Sequence, residues 1–190
     1  SWTERGMVNV GFGVESVRDE ILEKIGKRTN LEVMREFREA TLKHKIFTMA
    51  FYMIGYIEDT VESILEDYNT LREIGFDAIQ LCVLTPFPKT AKWYEIKKRY
   101  GIFERDHHRY DARFLVWNHP NITPSQMEFL KRVGMASLNV PLKDYGKGII
   151  RMAQKRISQK GFGFLWDDLA RPFLHSLSYK ERKHQTLDRI

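Results

Sequence analysis

Three short stretches of this chain carry residue types suited to chemistry: "GFGVES" at positions 11–16, "GYIEDT" at 55–60 and "TPFPKT" at 85–90. Each follows an apolar run, and each supplies glycine, proline, hydroxyl or carboxylate groups just where that run stops. Gly11 and Gly13 have no Cβ, so a ligand or a neighbouring backbone can come close. Glu15 can accept two hydrogen bonds from a diol such as a ribose. The same residues also suit a plain turn, with the glycines bending the chain and Glu15 opening a helix whose dipole favours an acid. Further along, "DHHRYD" brings His107, His108 and Asp111 together. Adjacent histidines in a loop can bind metal, but neighbouring residues point apart and no second cluster completes a ligand set, which predicts a surface loop. Tyr110, Phe114 and Trp117 could line a large planar substrate or pack a further layer onto the fold.

The elements that must hold these stretches follow from hydrophobic periodicity. A strand is predicted over Met7–Phe12, then a helix from Ser16 to Ile25, with Val17, Ile21, Leu22 and Ile25 on one face and Ser16 as its cap. Asn30 caps a second helix with Leu31, Met34 and Phe37 in its apolar stripe. The run "IFTMAFYMI" reads as a strand covered on both faces. A third helix, with Val61, Ile64, Leu65, Tyr68 and Leu71 inward, stops at Gly75, and "DAIQLCVL" is a third strand. Alternating β and α units of this length require right-handed parallel crossovers. The expected fold class is therefore α/β, a partial (β/α) barrel of TIM type with parallel strands, in which ligands bind at the carboxyl ends of the strands. The βα rhythm stops near Phe103. This divides the chain into a barrel part, 1–103, and a mostly helical C-terminal extension, 104–190. In the extension Thr123 caps a helix with Pro124 at its first position, and further helices are expected over 149–157 and 166–177.

Composition narrows the function. The 190 residues carry 31 basic and 25 acidic side chains, a formal charge of +6, and 43% hydrophobic residues, a balance that suits a mixed solvated surface rather than a nucleic-acid footprint. The basic excess gathers near the C-terminus, and amphipathic "KGIIRMAQKRI" reads as a helix docked on the barrel rather than on a membrane. No run of about 18 apolar residues and no secretory signal are present, so a cytoplasmic protein without a membrane span is expected. The single cysteine, Cys82, falls in mid-strand as a small buried hydrophobe and cannot form an internal disulfide.

Taken together and in order, "VNVGFGVESVRDEILEKIGKRTNLEVMREF", "FYMIGYIEDTVESI" and "IQLCVLTPFPKT" resemble the second half of the radical S-adenosylmethionine (radical SAM) barrel. The likeness is greatest to the branch with an N-terminal cobalamin-binding domain, which includes the anaerobic magnesium-protoporphyrin ester cyclase. It covers 7–94. In that branch the corresponding strands end in Gly-Val-Glu-Ser, in a Gly-Leu-Pro-Gly-Glu-Thr-like turn and in Thr-Pro-x-Pro-Gly-Thr.

The resemblance implies that Glu15, within Gly13–Ser16, meets the cofactor's ribose. It implies that Lys27, or Arg28 beside it, approaches the methionyl carboxylate. Gly55 would end the next strand, with Met53 and Ile54 near the adenine and Glu58 as the motif's acid, while Leu84, Thr85 and Pro86 would pass the adenine edge. Two departures stand out: "GYIEDT" lacks the proline and second glycine, and Lys89 replaces the glycine of the last motif. In such enzymes a [4Fe–4S] cluster cleaves S-adenosylmethionine to start radical chemistry, here methyl transfer or oxidative cyclisation on a small molecule, with cobalamin, where it is used, coming from a separate domain. Three closely spaced cysteines hold that cluster, and one cysteine cannot. The expectation is a part of a longer enzyme, with its missing N-terminal portion as partner. The alternatives are an RNA-modifying methylthiotransferase-like member and a non-catalytic binding module retaining half a barrel.

Overall fold

The computed structural model describes residues 7–139. Among them, three strands form one sheet in chain order, β1 (Asn9–Glu15), β2 (Phe47–Ile54) and β3 (Ala78–Val83), all parallel. The crossovers are α1 (Asp19–Lys24) with α2 (Leu31–Lys43), and α3 (Val61–Ile74). After β3 come α4 (Ala91–Arg99), a single 3-10 turn (His107–Arg109) and α5 (Pro124–Leu138). The fold is α/β, as expected of a partial (β/α) barrel. The helices expected over 149–157 and 166–177 lie outside the described residues.

Helix starts follow the local chemistry. Asn30 Oδ1 accepts from Val33 N at 2.9 Å, Thr60 and Ser63 form a reciprocal capping box, and so do Thr123 and Gln126 behind Pro124. The first helix differs from expectation. It begins at Asp19 with no side-chain cap, and Ser16 is instead fully buried, its Oγ accepting from Arg18 N at 3.1 Å. The reason is β1, which continues past Phe12 to Glu15 because pairing with β2 runs on to Tyr52. The chain must turn at Ser16 before a helix can start.

One face of the sheet carries the helices. Ala50, Tyr52, Ile54, Ile79, Leu81 and Val83 point into a core with Ile64, Leu65 and Leu71 of α3. The opposite face corrects the expectation of a strand covered on both sides: β2 alternates strictly, and Phe47, Met49 and Phe51 are exposed. Alternation of this kind marks a face with no helix against it, here among the described residues. The open face also carries Gly11, Gly13, Gln80 and Cys82.

The two edges of the sheet differ. On β3, Ile79 N–H donates to Asn139 Oδ1 while Asn139 Nδ2 donates to Ile79 O, and Val83 N–H donates to Ala112 O at 2.7 Å. A side-chain amide thus takes the place of a fourth strand. β1 has no strand on its outer side among the described residues. At the amino ends, Arg38 grips Asp77 with two bonds of 2.8 and 2.9 Å, and Asp77 Oδ2 accepts from Thr48 N and Oγ1. Burial raises the Asp77 carboxyl, but these donors outweigh it and hold the group below the usual carboxylate range. These contacts tie the amino ends of β2 and β3 to α2.

Candidate functional site at the strand ends

The end of β1 places Glu15 last in the strand, not in a helix. Its φ is 61°, and Ser16 N–H donates to Val14 O at 2.7 Å, a three-residue turn with an acid at its left-handed centre. Non-glycine residues hold that backbone at a cost, so the surrounding structure must impose it. Lys27 returns beyond α1 to set its Nζ 3.3 Å from Glu15 Oε1. Gly13 makes room for both: a Cβ there would fall 2.7 Å from Glu15 Oε1 and 2.8 Å from Lys27 Nζ. Glu15, Lys27 and Gly13 therefore form one unit, half exposed, on the open side of the sheet.

The end of β2 is organised by a carboxylate that sequence reasoning passed over. Asp59 is buried, and its Oδ2 accepts from Gly55 N at 2.6 Å and Tyr56 N at 2.9 Å. Its Oδ1 accepts from Arg18, whose Nε also donates to Asp67 Oδ2 at 3.1 Å, and Asp67 accepts from Tyr52 OH at 2.6 Å. Burial drives both carboxyls up, Asp67 to about 6. Glu58, one residue earlier, sits at the surface with Lys24 Nζ 2.7 Å away, and that bond lowers its carboxyl. Set against Gly-Leu-Pro-Gly-Glu-Thr position by position, "GYIEDT" puts Asp59 opposite the acid and Glu58 opposite the second glycine. That alignment was the signal available in the sequence.

Gly55 has φ 90°, and a Cβ on it would meet Met127 Cε at 3.0 Å, so both backbone and space call for glycine. Of the two residues before it, Met53 stands on the open face, in register with Cys82, while Ile54 is buried among the helices. Tyr56 is buried next to Glu15 and Asp59. Burial first, and then those two charges, push its hydroxyl well above the usual range, so it acts only as a neutral group.

At the end of β3, Leu84 N–H continues the ladder to Ile54 O at 2.8 Å, and Thr85 Oγ1 donates back to Val83 O at 3.0 Å. Thr85 and Pro86 are buried. Lys89 has φ 69°, the left-handed backbone that a glycine takes freely.

Of the softer candidates, Trp117 is fully buried and Tyr110 OH donates to Glu104 O, while Phe114 lies under Arg109 and Lys131. These aromatics pack. His107 and His108 are exposed in the 3-10 turn. Among the described residues no group of three or more metal-ligating side chains comes together. Cys82 is half-buried, with burial raising its thiol. The chain therefore does not fit an iron–sulfur cluster. What the strand end does offer is a partly exposed carboxylate and ammonium beside Gly13, groups whose chemistry does not exclude a polar ligand with hydroxyl and carboxylate functions.

No protein-family model matches the chain. Curated relatives do, in part. An uncharacterised methyltransferase of Pyrococcus horikoshii is 28% identical over 47% of this chain and 20% of its own length. The bacteriochlorophyllide d C-12(1)-methyltransferase of Chlorobaculum tepidum is 29% identical over 56% and 23%. The anaerobic magnesium-protoporphyrin IX monomethyl ester cyclase of Rubrivivax gelatinosus is 23% identical over 52% and 18%. The chain thus matches about a fifth of each relative's length, and these relatives are methyltransferases and an ester cyclase.

Proposed function

We propose that the carboxyl ends of β1, β2 and β3 form the cofactor-positioning part of a radical SAM enzyme of methyltransferase or cyclase type, acting on a small-molecule substrate that is large and planar. The observation that carries this is Glu15 held at φ 61° at the end of a parallel strand, with Lys27 3.3 Å from its carboxylate and Gly13 making room for both. S-adenosylmethionine, when bound, supplies an activated sulfonium whose C–S bond is the one to be broken. The chain's own residues bind and orient: Glu15 accepts from the ribose hydroxyls, Lys27 turns to the methionyl carboxylate, and Met53, Gly55, Leu84, Thr85 and Pro86 border the adenine. The one cysteine of this chain supplies too few ligands for an iron–sulfur cluster. The relatives named after bacteriochlorophyllide and magnesium-protoporphyrin, both tetrapyrroles, support a planar substrate.

The test is calorimetric titration of the protein with S-adenosylmethionine. Glu15→Ala should lower affinity by about ten- to a hundredfold, the cost of leaving a diol without its acceptor. Glu15→Gln, which keeps an acceptor, should lose less. Because Glu15 and Lys27 are paired, Lys27→Ala and Glu15→Ala should be non-additive when combined. Unchanged affinity in a well-folded Glu15→Ala protein would reduce the residue to a turn.

A further inference from the structure

The segment after β3 reaches back over the strand ends in a regular way. Trp117, His119 and Asn121 occupy alternate positions, and Pro120 disfavours helical backbone at His119, so the three side chains can point the same way. Trp117 Nε1 donates to Leu84 O at 3.2 Å, at the end of β3. His119 Nε2 bonds Tyr56 O at 2.7 Å, just past the end of β2. Asn121 Nδ2 donates to Asp59 O at 3.1 Å and to Ile57 O at 3.3 Å. Each bond ends on a backbone carbonyl of a strand-end turn.

The proton on His119 follows from its other nitrogen. Nδ1 accepts from Asn121 N and Ile122 N, both at 3.1 Å, so it carries no hydrogen, and Nε2–H is the donor to Tyr56 O. The imidazole is locked neutral between its own turn and its neighbour's, and its ring leans on Trp117 with centroids 4.9 Å apart.

We infer that Trp117, His119 and Asn121 form a strap that positions the Gly55–Asp59 turn for the adenosine end of the cofactor, making the segment after β3 part of the binding site. This rests on the cofactor reading above. His119 and Asn121 are positioning residues: they touch the turn, and the turn touches the ligand. Asp59 holds the turn from inside, its carboxylate accepting from the amides of Gly55 and Tyr56 and its own N–H donating to Tyr56 O at 2.9 Å; the strap adds a second donor at Tyr56 O and supplies the donor to Ile57 O and Asp59 O.

Two isosteric changes separate positioning from local folding. His119→Asn keeps an acceptor for the amides of Asn121 and Ile122 but is too short to reach Tyr56 O. His119→Gln reaches Tyr56 O with its amide N–H. Calorimetry with S-adenosylhomocysteine and with 5′-deoxyadenosine, which has no amino-acid portion, reads the effect. His119→Asn and Asn121→Ala should weaken both ligands equally, by about tenfold, whereas His119→Gln should stay within about twofold of the unchanged protein. Deuterium uptake in the 55–59 peptide should rise in His119→Asn and not in His119→Gln. Equal affinities for the Asn and Gln variants would overturn the inference, and so would faster exchange in 55–59 with unaltered affinity. If Glu15→Ala weakens binding while His119→Asn does not, the strap fails and the cofactor reading stands. If the unchanged protein binds neither ligand, both fall.

Discussion

Replacing Asp67 by asparagine probes the buried cluster in which two carboxylates, Asp59 and Asp67, face one guanidinium, that of Arg18. Side-chain exposure is 1% for Asp59 and 5% for Asp67, so water screens little of the imbalance. Burial, ahead of every other influence, lifts the Asp67 carboxyl to about 6 from an ordinary 3.8. Between those values the folded protein holds a proton that the unfolded chain has released. The stability from this group is therefore greatest in acid and is lost as pH rises through about 6. Integrating the two titrations between about pH 4.5 and pH 7 gives about 2 kcal/mol. The asparagine amide does not titrate, though its carbonyl can still accept from Tyr52 OH. The expected result is a stability difference, variant minus unchanged protein, that moves about 2 kcal/mol in the variant's favour across that range. Urea denaturation at several pH values, with the m-value checked for constancy, measures it. The difference cancels His119, whose pKa burial lowers and whose contribution runs the other way, lost as pH falls below the usual histidine range. Asp59 titrates with Asp67 as a pair, so the quantity read is proton uptake by both. A difference that stays flat from acid to neutral would refute the argument.

Arg18→Met should destabilise by about 3–5 kcal/mol at neutral pH, because it leaves both carboxylates buried without a cation; thermal melts check this, and the loss should shrink in acid as they protonate. Lys89→Gly should stabilise by about 0.5–1 kcal/mol, since Lys89 holds φ 69° and glycine takes that backbone without strain, less the entropy glycine adds to the unfolded chain; a lowered midpoint in urea would contradict it.

The parallel order of the three strands was legible because each apolar run is followed by a helix of crossover length, and the caps at Asn30 and Thr123 were legible because capping is local chemistry. The end of β1 was not. Nothing within "GFGVES" says whether Glu15 closes a strand or opens a helix; the parallel partner decides it, and that partner lies more than thirty residues away. For the same reason the open face of β2 was hidden. "IFTMAFYMI" is apolar on both sides, and only the position of the helices separates Ala50, Tyr52 and Ile54 from Phe47, Met49 and Phe51. Arg18, His119 and Asn121 were missed because they act through backbone carbonyls and buried acids far away in the chain, with no spacing rule to reveal them. Asp59 was within reach, one place along from Glu58.

The two departures from the family-like pattern take opposite physical routes. In "GYIEDT" the proline that would stiffen the turn is replaced by Ile57, and the second glycine by Glu58. A turn without proline keeps more freedom, and that freedom must be removed in some other way. Here Asp59 holds the amides of Gly55 and Tyr56, Arg18 holds Asp59, and His119 and Asn121 hold the carbonyls. Rigidity in this turn is supplied by hydrogen bonds from Asp59, Arg18 and the 117–121 segment. In "TPFPKT" the turn is held locally: Lys89 adopts a left-handed backbone and bears its strain, Thr90 Oγ1 donates to Phe87 O at 2.7 Å, and the same hydroxyl accepts from Trp93 N to begin α4. Both turns thus keep the course of the chain past the strand ends, one by contacts from distant segments and the other by local bonds and tolerated strain. The first route ties the shape of the turn to residues 117–121. A change in that segment would therefore be felt at Gly55, whereas Lys89 can be altered with effects confined to its own loop.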